Sequence, residues 1–127
     1  MTIRLINSEH APTPMGPYTQ ALEVTNTKRR LYISGQAPVD SNGEVAGSFK
    51  GQAETVWKNI IAQLKAADMS VENIVKATIY LTDRAHIQEN KEVRLVALEG
   101  HTPALTVVLA GMFDESWMLE IEAIAEI

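Results

Sequence analysis

The chain has 127 residues, 46% of them apolar and 21% charged, with a formal net charge of −5 and no cysteine. That length fits one compact domain over residues 1–127, large enough for a core yet small enough for association to add stability. The acidic balance argues against a nucleic-acid surface, which needs clustered Lys and Arg, and the missing cysteines remove disulfides, thiolate catalysis and cysteine-held zinc.

The opening stretch MTIRLINSEHAPTP has no long apolar core, and no run approaches the length of a bilayer span. The expectation is a cytoplasmic protein without a membrane partner. After a proline-punctuated start, Tyr18 to Val24 and Leu31 to Gly35 read as two strands. Joined by the polar TNTKRR, they are expected to form an antiparallel pair, with Lys28 to Arg30 as a solvated hairpin tip. Asn42-Gly43 then marks a turn before a helical pattern that begins near Phe49.

Val56, Trp57, Ile60, Ile61 and Leu64 recur at the three-and-four spacing of a helix with one buried stripe. NIVKATIYLTD alternates cleanly: Val75, Ala77, Ile79 and Leu81 fall on one face of a strand, and Lys76, Thr78, Tyr80 and Thr82 on the other. A second helix is predicted from about Ala85 to Leu98, with Ile87, Val93, Ala97 and Leu98 on its apolar face. Asn90 and Arg94 share that face, where Arg94 is expected to snorkel to the surface. Pro103 breaks the chain, and two strands follow, roughly Ala104 to Ala110 and Trp117 to Ala125.

The order strand, strand, helix, strand, helix, strand, strand points to an α+β domain with both helices on one face of the sheet. In ALTVVLA both alternating sets are largely apolar, so both sides of that strand need cover, and one helix layer supplies only one side. Self-association accounts for the other. Glu120 and Glu122, two apart, lie on the sheet face opposite the helices, either solvated or lining a cleft between subunits. His10, His86 and His101 are scattered without metal-site spacing, and no phosphate-binding glycine loop or nucleophile elbow is present. No metal or cofactor is expected.

Four blocks, GPYTQA from Gly16, LYISGQAPVD from Leu31, NIVKATIYLTD from Asn73 and LEIEAIAEI from Leu119, together resemble the RidA (YjgF-like) family. The resemblance spans nearly the whole chain. It implies a chorismate-mutase-like mixed sheet with two helices on one face. It also implies a homotrimer whose sheets form a central barrel, with small-molecule clefts between neighbouring subunits. For members with a complete site it implies hydrolysis of enamines and imines such as 2-aminoacrylate to a 2-keto acid and ammonia, without cofactor or metal.

By the same resemblance, Tyr18, Ser34, Asn90 and Glu120 match cleft positions, with Glu120 as the residue that would orient water. One position departs. Where active deaminases read Pro-Ala-Arg-Ser this chain reads Pro-Ala-Leu-Thr, so Leu105 stands at the place of the arginine that holds the substrate carboxylate, and Val107 replaces a frequent cysteine. Weak or absent turnover of 2-imino acids is the expectation. Arg94, one turn beyond Asn90, is the residue placed to compensate. A non-catalytic small-molecule sensor that keeps the trimer is the alternative from another class. Ribonuclease activity, described for some members, is a further one that the acidic charge disfavours.

Overall fold

The computed structural model describes residues 1–127, and its elements run β1 (Thr2–Ile6), β2 (Ala21–Thr25), β3 (Arg30–Gln36), α1 (Phe49–Ala66), β4 (Ile74–Leu81), α2 (Ile87–Ala97), β5 (Ala104–Leu109) and β6 (Leu119–Glu126). The main sheet has the order β3-β6-β4-β5, with β6 antiparallel to both its neighbours and β4 parallel to β5. This is the expected α+β architecture with a mixed sheet.

The strand pairing at the N-terminus differs from expectation. The β2 strand does not pair with β3. Its antiparallel partner is β1, a strand the sequence reading passed over, and the two form a separate small sheet. Asn26 ends β2 in the left-handed region at φ 57°, and the amides of Lys28 and Arg29 both donate to the carbonyl of Ile127. The linker therefore carries the chain from one sheet to another instead of folding it back.

Lys28 to Arg30 is accordingly not a hairpin tip. Arg29 donates to the carbonyl of Ala67, just past the end of α1, at 2.8 Å. Arg30 donates through Nε and Nη2 to the same oxygen of Glu126, whose side chain is largely buried.

The core forms because β4, β6 and α1 present apolar residues at their own periods. Ala77, Ile79 and Leu81 of β4 meet Leu119, Ile121 and Ala123 of β6, and Val56, Trp57, Ile60 and Leu64 of α1 close over them. The start of α1 is fixed by Ser48, whose hydroxyl accepts from the amide of Gly51. Gly43 adopts φ 81° in the predicted Asn42-Gly43 turn, where the Asp40 carboxylate accepts from the amides of Asn42 and Glu44.

The second helix is preceded by a short 3-10 turn at Arg84–His86, and the His86 ring stacks on Phe49 at 4.4 Å between centroids. Ile87 is half exposed rather than part of the buried face, because α2 begins only there and the apolar stripe is carried by Val93 and Leu98.

One buried polar residue holds two loops to this core. Gln52 of α1 is 1% exposed, donates to the carbonyls of Ala46 and Ser116, and accepts from the amide of Met118. Replacing it by Leu keeps the volume but removes the buried amide's bonds to three backbone groups, at roughly 1 kcal/mol each. Gln52→Leu is expected to lower unfolding free energy in urea by about 2–4 kcal/mol. A loss below ~1 kcal/mol would show that water replaces these bonds.

The edge strand β5 is poorly covered. Leu105 packs against the core, but Val107, Val108 and Leu109 are 38%, 40% and 42% exposed, and only Thr19 bridges to its free edge, at Ala104. Both faces of its far half are open, more than the sequence reading anticipated.

Candidate functional site

The five residues singled out from the sequence fall into two groups. Register settles their faces. Leu105 pairs with Ala77, which pairs with Ala123, and all three point toward the helices. Glu120 pairs with Tyr80 on the opposite, outer face. Ser34 lies on β3, and it lines a shallow outer-face concavity of about 310 Å³ with Tyr32, Lys76, Thr78 and Glu122.

Because β3 and β5 are the two edges of a four-stranded sheet, Ser34 and Leu105 are separated by three strand spacings, about 14 Å at ~4.8 Å each. They do not share a small-molecule site within one copy.

The first group is built by the irregularity of β3. Its pairing with β6 shifts between Ile33 and Gln36, and at that shift the Glu120 side chain lies across Gly35. A Cβ at Gly35 would stand 2.5 Å from Oε1 and 2.9 Å from Cδ of Glu120. The glycine therefore sets the carboxylate's position, a role invisible in the GQ dipeptide. Beside it, the Tyr80 hydroxyl donates to Glu122 at 2.8 Å, and this bond to a carboxylate raises the phenol's pKa above its ordinary value.

Gly35→Ala is expected to swing Glu120 away while leaving the unfolding free energy in urea within about 0.5 kcal/mol of native, since the clash is with a flexible side chain. A crystal structure of the variant with Glu120 unmoved would refute this.

The second group gathers at the β5 edge. The backbone amide of Thr19 donates to the carbonyl of Pro103 and so lays residues 16–19 beside the start of β5. Tyr18 is half-buried there, and its hydroxyl accepts from the amide of Met15. Lys91 of α2 reaches the same segment, its Cε 3.8 Å and Nζ 4.0 Å from where a Cβ on Gly16 would stand. Asn90 is 2% exposed, and its Oδ1 has no hydrogen-bond partner.

Arg94 overturns its expectation. It is 5% exposed rather than snorkelling, because the 16–18 segment and the 98–101 turn border it. Its Nε has no partner, and burial lowers the guanidinium's pKa from its ordinary value. The sequence signal for this burial is an arginine one turn from Asn90 on an apolar helix face.

No helix is long and apolar enough to cross a membrane. Residues 8–127 match the family described as Endoribonuclease L-PSP. A RutC family protein of Pyrococcus horikoshii is 37% identical over 123 residues, 95% of each chain. A mouse protein named 2-iminobutanoate/2-iminopropanoate deaminase is 35% identical over 124 residues, 96% of this chain and 90% of that one. Among solved structures, a Rid-family protein of unknown function from Yersinia pestis superposes with a TM-score of 0.89 at 25% identity, covering all of both chains. With a family match across almost its whole length and relatives above a third identical, the chain belongs to the RidA/YjgF (endoribonuclease L-PSP) family.

Proposed function

We propose that the protein is a homotrimer with a cleft between neighbouring copies that binds or hydrolyses a small imine, enamine or carbonyl compound. The observation that carries this reading is the division of the candidate residues within one copy. Ser34 and Glu120 sit on the outer face, Tyr18 and Leu105 at the far edge and Asn90 on α2, so a site that uses all five needs the outer-face half of one copy against the edge half of the next. The exposed apolar face of β5 supports the same arrangement.

In such a cleft Glu120 orients water toward the imine carbon. Water adds, the carbon–nitrogen bond breaks, and the products are a carbonyl compound and ammonia. Tyr18, Ser34 and Asn90 supply hydrogen bonds to the ligand. On this reading Leu105 removes the guanidinium that would hold a 2-imino acid's carboxylate, and turnover of that class is slow.

A sensor that keeps the trimer but has lost the chemistry is the second reading, favoured by the apolar Leu105. RNA cleavage is disfavoured by the net charge of −5 and by Glu120 and Glu122 on the outer face.

Light scattering combined with ammonia release from 2-aminoacrylate generated in situ tests the proposal. The expected result is a trimer with slow, saturable release that Glu120→Gln abolishes. A trimer without release but with saturable binding of a carbonyl compound selects the sensor. A monomer at micromolar concentration overturns both.

A further inference from the structure

Arg94 has a charge that nothing in its own chain answers. The ion pairs of the chain are Arg4 with Glu23, His10 with Glu9 and Arg30 with Glu126, and neither Arg94 nor Lys91 enters one. A buried guanidinium without a counter-charge is costly, and such groups are retained where an anion completes them. Two features point to a ligand rather than to solvent. Four residues back on the same helix, Asn90 carries a buried acceptor that is also unpartnered, so an unsatisfied donor and an unsatisfied acceptor belong to residues one helical turn apart. Lys91 adds a second positive charge over the same 16–18 segment, in a chain whose net charge is −5.

We infer that Arg94 is the anion anchor of this protein's cleft: its guanidinium takes the carboxylate of a small 2-oxo or related carbonyl acid. The inference rests on the intersubunit-cleft reading above, and it shifts carboxylate capture from β5 to α2. The guanidinium fork suits this role, since it can give two parallel hydrogen bonds to one carboxylate. A carboxylate held from α2 places the reacting carbon differently from one held at position 105. Tight binding and slow turnover are then compatible.

Isothermal titration with pyruvate and with pyruvamide, its neutral near-isostere, tests the assignment on the native assembly. Pyruvate is expected to bind at least about tenfold more tightly than pyruvamide. In Arg94→Met that preference disappears through a weaker pyruvate Kd, with pyruvamide unchanged. Arg94→Lys, which keeps a charge but not the fork, is expected to retain part of the preference and serves if the methionine variant does not fold.

Equal binding of both ligands by the native protein overturns the role of Arg94 while leaving a carbonyl-binding cleft in place. Arg94-dependent binding of pyruvate alone, with no pyruvamide binding, supports the anchor and counts against carbonyl recognition. Binding of neither ligand overturns both. If Arg94→Met instead dissociates the assembly and the native protein shows no preference for pyruvate, the counter-charge is a neighbouring copy's carboxylate and the inference is wrong.

Discussion

Leu105→Arg is expected to raise kcat/KM for 2-aminoacrylate hydrolysis by about 10²–10⁴ over the native protein. The position is favourable for a longer side chain. Leu105 is half-buried near the start of β5, beside the 16–19 segment that carries Tyr18, and an arginine there can lay its apolar stem on the surface leucine now covers. Its fork would meet a substrate carboxylate in two hydrogen bonds, each worth roughly 1.5–3 kcal/mol to a charged group.

The gain belongs in kcat/KM because, on the proposed mechanism, carboxylate capture would fix the imine carbon relative to the water that Glu120 orients. Native and variant proteins must have the same assembly mass for the comparison to hold. Native protein as fast as the variant would mean that Leu105 costs nothing. Combining Leu105→Arg with Arg94→Met then asks whether the two positions serve one carboxylate, for residues that share a ligand give non-additive effects.

What was legible from the amino acids follows the range of the interactions involved. The α1 helix and the β4 and β6 strands could be read because their periodicity is local: Val56, Ile60 and Leu64 or Val75, Ala77 and Ile79 declare a buried face by spacing alone. The pairing of β2 with β1 rather than β3 could not, since partner choice is a long-range property and TNTKRR serves a crossover between sheets as well as a hairpin. The burial of Arg94 depends on where residues 16–18 settle against α2, which no pattern within the helix records. For the candidate site, the opposite faces of Leu105 and Glu120 follow from alternation once the register is known, and the register itself was hidden. The resemblance gathered five residues into one cleft. The fold of one copy keeps them apart, so a cleft that used all five would need a second.

That need makes assembly the other large effect to measure. Val108→Lys is expected to reduce the protein to monomers at concentrations where the native chain would form the proposed trimer. Val108 stands in the row Val108–Tyr80–Glu120 across the outer face, 40% exposed and with no helix over it. If the outer faces of three copies pack together, each interface buries this side chain, and a lysine there places an unpaired ammonium in it. The effective penalty for such a charge is several kcal/mol, so even one per interface weakens association by more than about 10³-fold.

Val96→Lys is the control, because Val96 is 79% exposed on α2, in the helix layer that covers the opposite face of the sheet. It should leave the mass unchanged. Both variants should show native far-ultraviolet circular dichroism, since neither touches the core cluster. Loss of the trimer in Val108→Lys together with loss of ligand binding would tie the cleft to the interface, because each copy would still hold Glu120 on one face and Leu105 on the other. A lysine variant that stays trimeric would mean that Val108 lies outside the contact, and a dissociated variant that still binds ligand would mean that one copy is sufficient for the site.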